Sequence, residues 1–184
     1  MLFNSAGFFF FLAVVVPLYW CLVPRSGRWQ NVLLVLAGIC FYISIDQRFL
    51  FVLLLSAFAN YTFAIRLVQA KTTFAKRWLF WCAVAVNLGA LGYFKYLDFF
   101  YSGFFELLNL FGANAVHDPL KILLPLSISF YTLQMLGYII DVESEEIEPS
   151  RDPIAFLAYA LYFPKMLAGP IERAQNFLPQ VAGA

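Results

Sequence analysis

Charge is scarce in this sequence. Asp, Glu, Lys and Arg together make up 12% of its 184 residues and balance to a net +1. No basic surface points to nucleic acid, and no acidic tail points to disorder. Histidine occurs once, at His117, and cysteine three times, at Cys21, Cys40 and Cys82, each inside an apolar run and without CxxC spacing. That supply suits neither a metal centre nor a disulfide framework, and the cysteines read as small buried hydrophobes. No GxSxG, HExxH, Walker loop or GxGxxG motif occurs. The chemistries those motifs carry therefore have no foothold here. Lys and Arg are also missing ahead of the first apolar stretch, and no small-x-small cleavage site follows it, so that stretch is expected to stay as a span rather than leave as a signal peptide.

What the sequence has in excess is apolar surface. Hydrophobic residues make up 62% and aromatics 20%, and the mean hydropathy is +0.77, far above an ordinary soluble domain. The excess comes in blocks. A hydrocarbon layer ~30 Å thick takes about 20 helical residues, or about 17 at the short end, and the blocks predict spans at 7–23, 31–45, 49–65 and 78–94. The predicted fold class is all-α, a polytopic transmembrane helical bundle forming a single membrane region over 1–184.

Orientation follows from the basic loops. Arg25 and Arg28 follow the first span, and Arg66, Lys71, Lys76 and Arg77 follow the third, whereas the turn between, Asp46, Gln47 and Arg48, is nearly neutral. The positive-inside bias places the N-terminus outside and both basic loops in the cytoplasm. Sidedness beyond residue 95 is left open by the sequence.

After that point the pattern loosens. Residues 95–112 are rich in Phe and Tyr but carry Lys95, Asp98 and Glu106, which predicts an interfacial or slanted helix. Asp118-Pro119 and Asp152-Pro153 each set a capping side chain before a proline suited to a first helical turn, predicting helices over 119–140 and 153–168. The linker 141–152 holds six acids against the single base Arg151 and must lie in water.

Two features put polarity where lipid would not tolerate it. Ser127, Tyr131, Gln134, Tyr138 and Asp141 are spaced four, three, four and three apart, so they share one helix face. Facing lipid, that stripe would leave polar groups unsatisfied at a cost of several kcal/mol in order of magnitude. Farther on, "YFPKMLAGPIER" breaks its own helix. Pro164 frees the carbonyl of Ala160, and Gly169-Pro170 stops any helix that survives. Orphan backbone groups near membrane depth call for burial in protein or a hydrated cavity, which predicts a re-entrant or half-spanning element with Glu172 and Arg173 at its mouth. The ordinary role of Tyr and Gln on such a face is bonding between helices; that of Lys165 and Arg173 is snorkelling to the headgroups.

Three motifs, "NLGALGYFKYLDFF" (87–100), "LPLSISFYTLQMLGYIIDV" (124–142) and "YFPKMLAGPIERAQNFLPQV" (162–181), occur in this order. Together they resemble the membrane-bound O-acyltransferase family, most of all its bacterial alginate O-acetylation branch, with the teichoic acid D-alanyl transfer protein more distant. The opening 20 residues and the stretch 41–61 fit that branch too. Departures are Ser127 for the expected Gly, Leu133 for Phe, Gly137 for Ser, and Lys165 for an uncharged polar residue; they bear on substrate choice rather than membership. The resemblance implies a ring of helices around a tunnel, of which this chain is the N-terminal part, and acyl transfer from a cytoplasmic acyl thioester to hydroxyls of an exported polysaccharide such as alginate. Tyr131, Gln134, Tyr138, Asp141, Lys165, Gly169, Pro170 and Arg173 would line the tunnel wall. It further implies a bacterial inner-membrane location, membrane lipid and extracytoplasmic partner proteins as neighbours, and no bound cofactor or metal. The family's catalytic histidine belongs to a segment beyond residue 184; His117 matches no family motif. The chain alone is therefore expected to be inactive. A small multi-span transporter and a non-catalytic assembly subunit are the competing expectations.

Overall fold

The computed structural model describes residues 5–22, 27–111, 125, 127–165 and 172–182. Among them every regular element is helical. Helices α1 (Ala6–Leu22), α2 (Gly27–Asp46), α3 (Leu50–Gln69) and α4 (Thr73–Leu91) overlie the four apolar blocks. α5 (Leu97–Leu110), α6 (Ile128–Glu143), α7 (Pro153–Ala160) and α8 (Ala174–Ala182) follow. The fold class is all-α, and two helical runs, Gly27–Gln69 and Thr73–Leu110, are long and apolar enough to cross a membrane. Large apolar side chains cover the exterior: Phe9, Phe10, Trp20, Phe51, Phe58, Trp78 and Trp81 are all exposed. An apolar surface of this extent suits a bundle whose solvent is lipid.

The run Gly27–Gln69 is two helices rather than one. Asp46 has an extended backbone (φ −154°, ψ 97°), its carboxylate accepts from the Arg48 N–H, and a short 3₁₀ turn, Gln47–Phe49, leads into α3. α3 and α4 are then joined by a tight loop in which Thr72 caps α4 by accepting from the Ala75 N–H. Inside the bundle these two helices are clasped by a reciprocal amide pair. Asn60 donates to Asn87 at 3.1 Å and Asn87 to Asn60 at 2.7 Å, and each also bonds a carbonyl four residues back. All four amide hydrogen-bonding functions of a buried polar pair thus find partners.

Three elements differ from the sequence expectation. α5 does not begin anew at residue 95 but continues α4 through a π-helical stretch, Gly92–Tyr96; none of its residues is buried. The helix expected over 119–140 is not continuous: α6 starts at Ile128, because Ser127 sits in the left-handed region (φ 62°) where no right-handed helix can pass, and residues 119–124 and 126 lie outside the described residues. Asp118, Pro119 and His117 lie outside the described residues. The helix expected over 153–168 does start at its cap, with Asp152 accepting from the Ile154 N–H at 2.8 Å, but ends at Ala160. Pro164 explains the early stop, since its ring would strike the Ala160 carbonyl in a continued helix.

The core has two lobes. Around α6 and α7, Tyr138, Phe156, Tyr159 and Phe177 pack with Ala57, Ala64 and Ala83 of α3 and α4. Nearer α1, Phe8, Phe41, Tyr42, Leu53, Tyr131, Leu161 and Phe163 form the second. Both lobes meet where α7 ends.

Candidate functional site: a helix-break hairpin and its polar lining

The hairpin is built from α7, a turn at Leu161, a 3₁₀ turn over Phe163–Lys165 and α8, with residues 166–171 outside the described residues. Its entrance and exit lie together. Arg151, just before α7, offers its carbonyl to the Tyr61 hydroxyl at 2.9 Å, and Arg173, just before α8, pairs with Glu146 of the same acidic linker at 3.8 Å. The linker itself is tied to the basic loop after α3. Lys76 donates to Glu145 at 2.8 Å, which holds the Glu145 carboxyl below its ordinary value and the Lys76 ammonium above. Linker, basic loop, hairpin entrance and hairpin exit therefore occupy one face of the bundle. α8 is fastened to the same end, where buried Asn31, near the start of α2, donates to the Val181 carbonyl at 2.7 Å.

The tip reaches the middle. Gly38 is packed tightly: a Cβ there would overlap the Leu161 carbonyl oxygen, so α2 and the hairpin touch backbone to backbone. Gly38 stands about 16 Å along a helix about 30 Å long, at 1.5 Å per residue. α7 thus runs from that face to about half depth at Leu161, and Arg173 lies back at the face beside Glu146. Leu161, Phe163, Phe41 and Tyr42 seal the tip.

The polar stripe of α6 turns inward, but its members do different things. Gln134 donates its amide N–H to the Tyr159 carbonyl at 2.9 Å, meeting one of the backbone acceptors that the end of α7 leaves open. The Tyr138 hydroxyl accepts from the Ser150 N–H at 3.0 Å and so anchors the linker. Asp141 closes the helix. Its carbonyl accepts from the Glu146 N–H at 2.9 Å while Glu145 N–H reaches Val142 at 3.3 Å, with Glu145 at φ 62°, the bonding pattern of a Schellman cap. The Asp141 carboxylate is buried and its Oδ2 has no hydrogen-bond partner. Tyr131 is buried deeper still, its hydroxyl also without a partner.

Lys165 lies at the tip, with its side chain 11% exposed. Its ammonium sits over three rings, at 4.1 Å from Phe177, 4.8 Å from Tyr159 and 5.3 Å from Tyr162, and 3.8 Å from the Glu172 carboxylate. Such a cage makes a charge tolerable at this depth through ring quadrupoles. A small cavity joins Tyr42, Tyr131, Gln134 and Lys165, so three of the sequence-selected residues converge. Tyr138 and Asp141 are buried toward the linker end of α6 instead, Arg173 is exposed beside Glu146, and Gly169 and Pro170 lie outside the described residues. The sequence reading missed Gly38, Tyr42, Tyr159, Tyr162 and Phe177. The aromatics look like ordinary core in a chain with this many rings; the usable signal was Lys165, since a buried ammonium needs a cage. Among the described residues no group of three His, Cys, Asp or Glu could hold a metal ion.

Comparison with known proteins shows what this arrangement is similar to. The chain is 36% identical over 183 residues to the probable alginate O-acetylase of Pseudomonas aeruginosa and 35% identical over 183 residues to that of Azotobacter vinelandii. It is 32% identical over 208 residues to the peptidoglycan O-acetyltransferase of Helicobacter pylori. Each alignment covers 98% of this chain and, in the same order, 34%, 36% and 38% of the relative. The chain therefore spans about a third of the length of the curated relatives it matches. No family model matches it, and no solved structure does. The likeness to the alginate O-acetylation branch, read from three motifs, extends over nearly the whole sequence.

Proposed function

We propose that this chain, related along nearly its whole length to alginate and peptidoglycan O-acetylases, forms part of a membrane-bound O-acyltransferase of a bacterial cytoplasmic membrane. The enzyme moves an acetyl group from a cytoplasmic acyl thioester to hydroxyls of an exported polysaccharide such as alginate, which extracytoplasmic partner proteins present. The observation that carries this reading is the 36% identity over 98% of the chain. The hairpin gives it a physical form. Acyl groups must pass a layer that excludes polar backbone, and a chain that breaks its helix at half depth supplies carbonyls, N–H groups and the inward Tyr131, Gln134 and Lys165 where a smooth helix would supply none. Tyr138, Asp141 and Arg173 would form the opening of that passage on the side of the basic loop, with Gly169 and Pro170 completing its wall.

The chain's own share is scaffold and passage. Acyl transfer to a hydroxyl needs a general base within hydrogen-bond reach. The base expected from the resemblance is the family's histidine, not His117.

A chimera tests the reading. In the P. aeruginosa alginate O-acetylase, the 183 aligned residues are replaced by this chain and polymer acetylation is measured in cells lacking the native protein. Retained acetylation, with none from the 184-residue chain expressed by itself, is the expected result. A chimera that inserts stably yet acetylates neither alginate nor peptidoglycan favours a non-catalytic assembly subunit, and acetyl transfer by the chain alone removes the scaffold assignment.

A further inference from the structure

Helix α5 stands apart from the bundle, and its neighbours show at which end of the bundle it begins. Just ahead of it, Phe94 of the π-helical stretch packs edge-on against Phe49 with ring centres 5.9 Å apart, and Phe49 closes the turn between α2 and α3. Lys95 of the same stretch reaches Ser129, in the first turn of α6, at 3.4 Å. The turn after α2, the π-helical stretch and the start of α6 therefore lie at one level, at the end of the bundle away from the basic loop that opens α4. α4 holds 19 residues, about 28 Å at 1.5 Å per residue, so a hydrocarbon layer ~30 Å thick is nearly crossed when the chain reaches Gly92. Trp78 near the start of α4 and Tyr93 and Tyr96 past its end are exposed, placed as the two aromatic belts of a span are. With the basic loop assigned to the cytoplasm by its charge, α5 begins at the outer surface, a side that the sequence leaves open after residue 95.

The surface of α5 is divided lengthwise. Asp98, Ser102, Glu106 and Asn109 are spaced four, four and three apart, which gathers them into a polar strip about 80° wide at 3.6 residues per turn. The rest of the helix is apolar, and Phe99, Phe100, Phe104, Leu107 and Leu110 are all exposed. Among the described elements α5 touches only the π-helical stretch it grows from. Water does not suit an uncovered apolar face of this extent, and a bilayer interior does not suit two carboxylates and an amide. The boundary between the two accepts both. We propose that α5 is an interfacial helix of the outer leaflet, with Phe100, Phe104 and Leu107 set among the acyl chains and Ser102 and Glu106 among headgroups and water. The π-helical stretch is its corner: Tyr96 departs from helical values at φ −116°, ψ −13°, and π-bulges are among the places where helices turn. The polar strip contains Asp98 and Glu106 but no Lys or Arg, so apolar insertion, not lipid charge, holds the helix down.

Spin labels on the whole 184-residue protein test this. Single cysteines replace Phe100, Ser102, Phe104, Glu106 or Leu107 in a background without Cys21, Cys40 and Cys82; none of the replaced side chains is buried, so the variants keep the fold. In phosphatidylcholine vesicles each label is relaxed by oxygen, which concentrates in lipid, and by a water-soluble nickel chelate. The ratio is expected to follow the helix, with oxygen favoured severalfold at Phe100→Cys, Phe104→Cys and Leu107→Cys and nickel at Ser102→Cys and Glu106→Cys. Nickel favoured at every position overturns the proposal, because α5 then stands in water. Exclusion of both reagents from Phe100→Cys, Phe104→Cys and Leu107→Cys overturns it too, because protein, either a second copy or another partner, then covers the apolar face. Replacing half of the phosphatidylcholine by phosphatidylglycerol should leave the pattern in place, and a pattern seen only in the anionic vesicles removes apolar insertion as its cause. A membrane-impermeant maleimide should label Ser102→Cys in intact cells, and labelling in inverted vesicles alone overturns the outer-leaflet placement.

Discussion

At the scale of single residues, two positions show backbone and side chain pulling apart. Ser127 opens α6 at φ 62°, a conformation that costs a residue with a Cβ roughly 1–2 kcal/mol and glycine almost nothing. Glycine, the residue the resemblance leads one to expect there, suits a left-handed turn without that cost. Ser127→Gly should therefore raise the protein's stability by roughly 1 kcal/mol, less whatever the serine side chain contributes, with Leu133 and Gly137 unaffected. Denaturation followed by the intrinsic fluorescence of its tryptophans reads the change, and a clear loss of stability would show that the hydroxyl outweighs the strain. Glu145 adopts the same conformation at the other end of α6, where it closes a helix cap and meets Lys76 at once. The stripe itself was legible from spacing alone, because polar groups three and four residues apart share a face whatever surrounds them. Which of its members bond backbone, which anchor the linker and which lack a partner was not legible. Those roles depend on Tyr159, Ser150 and Glu146, which sequence distance does not connect to the stripe.

Among the elements, the hairpin depends on close approach more than on polarity. Gly38 admits the Leu161 carbonyl to the surface of α2, so a methyl group there must push the tip away from Phe41 and Tyr42. Gly38→Ala is expected to cost about 1–3 kcal/mol, the range of overpacking a filled core. Gly89→Ala, where a Cβ meets nothing within 4 Å, is the matched control and should be neutral or slightly stabilising. Comparing the melting temperatures of the two variants checks this, and equal shifts would mean that the tip does not bear on α2. The helix break was readable from Pro164, since a proline ring excludes the carbonyl four residues back. The early start of the break, at Ala160 rather than 168, follows from the same clash and should have set the boundary. The continuation of α4 into α5 escaped the sequence reading because Lys95 and Asp98 look like punctuation. A helix that leaves the bundle carries charge on its surface without ending; Lys95 reaches Ser129 at 3.4 Å while the backbone winds on.

For the whole molecule, the consequence lies in sidedness. The basic loop at Arg66–Arg77 is assigned to the cytoplasm by its charge. The pairs Lys76–Glu145 and Arg173–Glu146, with Tyr61 bonded to Arg151, bring the acidic linker and both ends of the hairpin to that loop. The expected topology is therefore a hairpin that opens to the cytoplasm, with Ser127 toward the opposite side. Single cysteines at Thr72, Glu148 and Gln175, in a background without Cys21, Cys40 and Cys82, should all be labelled by a membrane-impermeant maleimide in inverted vesicles and protected in intact cells. Labelling of Glu148→Cys from the opposite side to Thr72→Cys would separate linker from loop and dismantle the hairpin as drawn.

By itself the sequence determined that this is an all-helical, apolar-surfaced protein with a polar seam and one interrupted helix. Each of those properties is local, fixed by periodicity, by the run length of apolar residues or by proline's missing N–H. It also carried the likeness to the O-acetylases, because motif order needs no coordinates. Only the tertiary structure decided that Tyr131, Gln134 and Lys165 share a cavity, that three rings receive the Lys165 ammonium and that Gly38 lets the hairpin in to half depth. Those facts join α2, α6, α7 and α8 across long stretches of chain, and packing between distant segments is settled by shape and by the satisfaction of buried donors and acceptors, which the order of residues along a chain does not encode one segment at a time.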